Sequence, residues 1–219
     1  MDLNQARFNM IEQQIRPWEV LDPQVLQLLS VVRREDFVPL AHQALAFVDM
    51  EIPLGKAANQ VMLAPRVQAR MLQDLGVQKT DKVLDIGTGS GFMAALLAHQ
   101  GAQVLSLEID ADLATQAQAN LQKAGLTRVT VRQADGSQGA AADGPFDVIV
   151  LGGSVAQVPA TLLQQLSLGG RLVAVVGDEP MMRATLITRT SESSWTTTEP
   201  WDCNAPRLSG FAEHSRFQF

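Results

Sequence analysis

The stretch Val83-Leu84-Asp85-Ile86-Gly87-Thr88-Gly89-Ser90-Gly91-Phe92 constrains this chain more than any other. A run of apolar and β-branched residues reads as a buried strand, and three alternating glycines end it in a tight turn. Phe92 to Ala98 is rich in helix formers and apolar on nearly every face, which predicts a buried helix. Val104-Leu105-Ser106-Leu107-Glu108 follows as a second strand, its terminal carboxylate seventeen residues beyond Gly91. Strand, helix and strand make a βαβ unit with a nucleoside site at its mouth. Glycines there admit a ligand to the backbone, the helix start offers free N–H groups, and Glu108 can accept hydrogen bonds from two ribose hydroxyls.

Position 92 decides which nucleoside. The dinucleotide fingerprint G-x-G-x-x-G/A needs Gly or Ala there, whereas this chain has Phe92 and the spacing G-x-G-x-G. A ring would obstruct the close helix–strand packing of a pyrophosphate site, and Asp85 would set negative charge beside a phosphate. A carboxylate near the loop suits a ligand bearing an ammonium, such as the methionine part of S-adenosylmethionine. The motif favours that methyl donor over a dinucleotide, and over a glycine turn that binds nothing.

The 219 residues can bury a proper core and favour one domain, with residues 1–64 as a helical and loop extension and 65–219 as the cofactor-binding core. No apolar stretch reaches spanning length and the first twenty residues lack a signal-peptide pattern, so no membrane partner is expected. Cys203 is the lone cysteine, which excludes an internal disulfide and suits a reducing, cytoplasmic setting. Three histidines and one cysteine offer no familiar metal-ligand spacing, so no metal is expected. A formal charge of −6 disfavours a nucleic-acid partner.

Taken in order, residues 3–16 read as a helix with Phe8, Ile11 and Ile15 on its apolar face and Pro17 at its end. Asp22-Pro23 starts a second helix carrying Val25, Leu28, Leu29 and Val32. Arg33-Arg34-Glu35-Asp36 is a charge run that reads as a solvated face. Residues 47–63 look irregular, and so long a loop marks function or mobility. Pro65 opens a helix with Val67, Met71, Leu72 and Leu75 inward, closed by Gly76. Asp110 caps another, ended by Gly125. Strands follow at Arg128–Gln133, Phe146–Leu151 (ending in Gly152-Gly153-Ser154) and Arg171–Val176. Pro159 to Leu166 reads as a helix and Gly169-Gly170 as a turn. Arg183–Arg189 and Ser194–Trp201 have no helix between them and predict an antiparallel hairpin.

Strands alternating with helices, then a hairpin, predict a Rossmann-like α/β fold: a mixed seven-stranded sheet with helices on both faces, an N-terminal helical extension and a C-terminal hairpin. Ligands sit at the carboxyl ends of such strands. Successive strand ends here carry Gly87 to Gly91, Glu108, Asp135 and Gly152.

These residues resemble the class I methyltransferases and, more narrowly, the protein-L-isoaspartate O-methyltransferase family. Three stretches carry the likeness: Gln24 to Pro39 with its Arg34-Glu35-Asp36-Phe37-Val38-Pro39, the Val83–Phe92 motif, and Phe146 through Pro159 to Leu168-Gly169-Gly170-Arg171-Leu172-Val173. The resemblance implies that Asp85, Gly87 and Gly89 surround the methionine part of S-adenosylmethionine, with Thr88, Ser90 and Gly91 completing the loop. Glu108 and the adjoining Ile109 would hold the ribose, Asp135 and Gly136 would flank the adenine, and Gly152 would close the site. S-adenosyl-L-homocysteine would be the product. Gly152-Gly153 stands where the family has a pair such as Thr-Ala. The substrate loop departs further: Gly55 to Pro65 is longer than the family's glycine–hydroxyl segment and contains no Ser or Thr. Depending on the gap, Asn59 or Leu63 takes the serine position. The tail from Trp201 onward also departs.

Methyl transfer from a sulfonium needs positioning and desolvation more than covalent help. A carboxylate acceptor is ionised at pH 7 and needs no general base, so the absence of a His-Asp or Cys-His pair agrees with a carboxyl acceptor. Lys56 could attract an anion, although a loop lysine is more often solvated. His42 and His214 read as structural or exposed. Asp49 and Glu51 flank the loop and either order it or meet cofactor. The expected activity is carboxyl O-methylation of L-isoaspartyl residues in damaged proteins. The alternatives are another acceptor, a small molecule or a different protein carboxylate, or a regulatory module that binds the cofactor without turnover.

Overall fold

The computed structural model of the chain describes residues 2–101 and 103–213. His214 and the residues after it lie outside them. Among the described residues a small antiparallel pair, β1 (Ile52–Pro53) and β2 (Val61–Met62), precedes the main strands. Those are β3 (Lys82–Ile86), β4 (Gln103–Glu108), β5 (Val129–Gln133), β6 (Phe146–Val155), β7 (Leu166–Asp178), β8 (Met181–Arg189) and β9 (Trp195–Asp202). They form one seven-stranded sheet in the order β5-β4-β3-β6-β7-β8-β9. Strands β3 to β7 pair in parallel, and β8 and β9 close the sheet antiparallel. The strand order reverses at β3, which lies between β4 and β6. A crevice opens at that reversal, beyond the carboxyl ends of the strands.

Both faces of the central strands are buried, which is why they read as near-continuous apolar runs. Val83, Val104, Val148, Val150, Val173 and Val175 face one core. Their neighbours Leu84, Leu105, Ile149, Leu151, Leu172 and Ala174 face the other. The first core also takes the helices α1 (Leu3–Met10), α2 (Pro23–Val31), α3 (Pro65–Leu75) and α4 (Phe92–Gln100). Helix α5 (Ala111–Lys123) packs against β4 and β5, and α6 (Ala160–Gln164) packs on the second core through Leu162. Asp22 caps α2 by accepting from the Gln24 and Val25 N–H groups, and Asp110 does the same for α5 through Asp112 and Leu113. No described helix is long and apolar enough to cross a membrane.

The N-terminal segment departs from the sequence reading. Helix α1 runs on as a wide π turn over Ile11–Ile15 and a tight turn over Arg16–Trp18, so the chain stays helical through Pro17. Phe8 is exposed, and Arg7 takes the inward position because its guanidinium reaches Glu35 and lies over the Phe47 ring. The charge run is a solvated face only at Arg33 and, in part, Asp36. Arg34 and Glu35 are 1% and 2% exposed. Arg34 donates to the carbonyls of Ala46 (3.0 Å) and Leu63 (2.7 Å) and to Gln68 Oε1 (2.5 Å), and its guanidinium stacks over Phe92. Each guanidinium nitrogen finds an acceptor, which is what makes a buried cation tolerable.

Three smaller corrections concern boundaries. The irregular 47–63 stretch contains the β1–β2 pair. The helix foreseen over 159–166 spans only Ala160–Gln164, because Leu166 already pairs with Phe146 in the sheet. The glycines at 169–170 and 152–153 lie inside β7 and β6, at register shifts between those two strands.

Candidate active site

The turn after β3 is built backbone to backbone. The Gly87 N–H donates to the Leu107 carbonyl (2.8 Å), and the Gly91 N–H donates to that of Thr88 (2.9 Å). Gly87 and Gly89 have φ of 88° and 53°, the left-handed region that side chains disfavour. Glu108, at the end of β4, is 5% exposed. One of its oxygens accepts from the Gly89 N–H (2.8 Å) and the other from that of Asp110 (3.1 Å). A carboxylate has about four lone-pair sites, so both oxygens keep capacity for an incoming hydroxyl. The N–H of Leu113 at the start of α5 holds the Asp110 carboxyl below the usual carboxylate range, assisted by the Gln60 amide and Lys56.

Asp85 points beneath the turn. It is wholly buried, and its Oδ2 accepts from the Ser106 hydroxyl (2.6 Å), which lies 2.6 Å from Thr88 Oγ1. Its Oδ1 has no hydrogen-bond partner among the described residues. Burial pushes this carboxyl up to about 7, against the Ser106 hydrogen bond, and the Glu108 charge pushes it further.

Glycines also bring the end of β6 against the turn. A Cβ on Gly152 would meet the Gly87 carbonyl oxygen, and one on Gly153 would stand 2.8 Å from the Pro206 carbonyl oxygen and 3.0 Å from Leu208. The bare backbone at 152–153 is therefore filled by the tail. The Ser154 N–H donates to Pro206 O (2.8 Å), and the Leu208 N–H donates to Ser154 O (2.9 Å). Phe211 then packs into the second core.

The loop between β1 and β2 spans the cleft and is fastened on both sides. Gln60 donates to Asp110 Oδ2 (2.9 Å), and Asn59 donates to the Arg207 carbonyl and to Ser209 Oγ, each at 3.0 Å. Gly87, Gly89, Glu108, Ile109, Gly136 and Gly152 line the cleft together with Asn59. Asp85, Thr88, Ser90 and Gly91 lie behind that wall as its support, and Asp135 turns its carboxylate to the Ser137 N–H and against Gly210. Leu63 is a correction: its side chain belongs to the core and its carbonyl holds Arg34, so it does not reach the cleft. Lys56 and His42 do not line it either. Asp49 is tied to Arg66, and Glu51 is half-buried, its carboxyl raised by burial; both face a separate hollow beside Cys203. Sequence reasoning missed Leu54, Gln60, Arg207, Leu208, Ser209 and Phe211. Of these only Leu208 has a sequence signal, the bare backbone at Gly153 that it packs against. No described cluster of His, Cys, Asp or Glu could hold a metal.

Comparison with known proteins follows this geometry. Residues 5–203 match the family model described as protein-L-isoaspartate(D-aspartate) O-methyltransferase. A protein-L-isoaspartate O-methyltransferase of Koribacter versatilis is 37% identical over 93% of this chain and 90% of its own length. Protein-L-isoaspartate O-methyltransferase 2 of Marinobacter nauticus is 40% identical over 89% of this chain and 88% of its own. Among solved structures, a Plasmodium falciparum protein in complex with S-adenosyl-L-homocysteine superposes with a TM-score of 0.77 at 16% identity, covering 94% of this chain and 99% of that one, a likeness of fold.

Proposed function

Because the chain belongs to the protein-L-isoaspartate(D-aspartate) O-methyltransferase family, we infer that it methylates the side-chain carboxylate of L-isoaspartyl residues in proteins, with S-adenosylmethionine as donor. The observation that carries the reading is the convergence of the glycine turn and Glu108 on one cleft roofed by the 54–61 loop.

The cleft fits the cofactor. Gly87, Gly136 and Gly152 let Leu208, Ile86 and the Gly87 carbonyl close around the cleft where a Cβ would clash, and Glu108 offers a nearly buried carboxylate to the ribose hydroxyls. Asp85, behind the turn with its Oδ1 unpartnered among the described residues, would when ionised set negative potential toward an ammonium held in the cleft. Ile109 would lie beside the ribose and Gly136 beside the adenine, with Asp135 securing the turn before Gly136 by accepting from the Ser137 N–H. S-adenosylmethionine, when bound, would supply a sulfonium methyl for transfer to the acceptor carboxylate, with S-adenosyl-L-homocysteine as the leaving group.

The protein has then to hold and desolvate the acceptor. No histidine, lysine or cysteine stands among the described residues lining the cleft, and an ionised carboxylate needs none. Residues 1–64 act as the acceptor-side extension and 65–219 as the cofactor core, a division supported by Arg34, which ties the loop end at Leu63 to Phe92 of the core. The lone Cys203 supports a cytoplasmic setting. A second reading, the same donor with another acceptor, is favoured by one observation: the 55–65 loop has no hydroxyl side chain.

The test is methyl transfer from labelled S-adenosylmethionine to an isoaspartyl peptide and to its aspartyl twin. Base-labile ester on the isoaspartyl peptide alone is expected. Binding of S-adenosyl-L-homocysteine with no ester on either peptide would sink the isoaspartyl reading in favour of the second.

A further inference from the structure

Resting on that reading, we propose that Ser209, carried to the cleft by the C-terminal segment and held there by Asn59, is the hydroxyl that donates a hydrogen bond to the acceptor carboxylate.

An anionic acceptor has to meet donors. The acids of the cleft, Glu108 and Asp110, already accept from backbone N–H groups. The side chains on its wall that can donate are Asn59, Gln60, Arg207 and Ser209. Gln60 gives a hydrogen to Asp110. Arg207 turns its guanidinium outward, to the Gly177 carbonyl, Asp178 and Glu213, so its charge is compensated away from the acceptor.

Asn59 gives both amide hydrogens, one to the Arg207 carbonyl and one to Ser209 Oγ. The carbonyl fixes the orientation of that amide, because only an N–H can face it. Ser209 therefore receives at its oxygen and has given its own hydrogen to no described group. It is also the only hydroxyl side chain on the described wall. An accepted hydrogen bond polarises the O–H and strengthens the next bond along the chain. Ser209 and Asn59 are exposed at the rim, where a protein segment can reach them.

The loop without a hydroxyl and the divergent tail then become one feature. The loop supplies the amide and the tail supplies the hydroxyl. Asn59 is a positioning residue, and Ser209 touches the acceptor.

The experiment measures kcat/KM for an isoaspartyl peptide, S-adenosyl-L-homocysteine affinity by calorimetry, and Tm, for wild type, Ser209→Ala, Ser209→Thr and Asn59→Leu. A hydrogen bond to a charged group predicts about a tenfold or larger loss of kcat/KM in Ser209→Ala, expressed mainly in peptide KM. Product affinity and Tm stay at wild-type values, and Ser209→Thr restores turnover. Asn59→Leu lowers the same quantity, and its loss does not add to that of Ser209→Ala. Unimpaired Ser209→Ala beside an active wild type would overturn this assignment alone. A wild type that binds S-adenosyl-L-homocysteine but esterifies no isoaspartyl peptide would overturn it together with the reading beneath it.

Discussion

A Cβ on Gly152 would stand 2.6 Å from the carbonyl oxygen of Gly87. The strand end and the glycine turn thus meet as backbone on backbone, and the proposed cofactor site would depend on that approach. Gly152→Ala must push the turn away from β6. It should cost about 1–3 kcal/mol of stability, as overpacking does, and weaken S-adenosyl-L-homocysteine by about tenfold or more. Calorimetry showing unchanged affinity would mean the two segments part without cost.

Glu108 provides a second test. Glu108→Ala removes the acceptor of the Gly89 and Asp110 N–H groups and, with it, the proposed ribose contact. Charged hydrogen bonds of about 1.5–3 kcal/mol predict S-adenosyl-L-homocysteine affinity lower by roughly 10- to 150-fold. Glu108→Gln should fall between. A Glu108→Ala protein that binds like wild type removes the ribose assignment.

Arg34 should matter for stability before it matters for turnover. Arg34→Met leaves the carbonyls of Ala46 and Leu63 and the Gln68 side chain without their donor. Urea unfolding should register a loss of about 3 kcal/mol. Arg34→Lys should recover little, because one ammonium cannot span acceptors laid out for a planar fork. A loss under about 0.5 kcal/mol, the range of an ordinary surface change, would contradict the buried network.

Asp85 predicts a pH dependence of definite sign. Its folded value, about 7, lies above the ordinary 3.8, so between those values the native state holds a proton that the unfolded chain has released. The contribution of Asp85 to stability is therefore full at low pH and falls as pH rises through that window. A cationic donor favours the ionised form, so cofactor affinity should rise toward pH 8 with release of a proton. Melting curves and calorimetry in two buffers should show both trends in wild type and neither in Asp85→Asn. Identical pH profiles for the two proteins would refute the assignment.

What could be read from the sequence follows how local each signal is. The turn from Val83 to Phe92 and the acid at Glu108 announce themselves because strand, glycines and helix are contiguous and the spacing is short. Arg34 and Glu35 read as surface because nothing in the local pattern tells of acceptors at Ala46, Leu63 and Gln68, or of the cation Arg7. Leu208, Ser209 and Phe211 lie in an aperiodic segment, and their partners at 59 and 152–154 are far away in sequence. Leu63 falls at the serine position of the family pattern, but the fold buries it. Periodicity reports which face is apolar; it does not report which distant polar group makes a buried charge acceptable.

The wall formed by Pro206 to Phe211 also fixes the order in which the molecule can come to life. Synthesis runs from the N-terminus, and every strand of the sheet is made before this segment. The sheet can therefore pair and the glycine turn can form while the pocket still lacks its last side. A growing chain has its scaffold before the last wall of its cleft, which closes only when Leu208 settles over the bare backbone of Gly153.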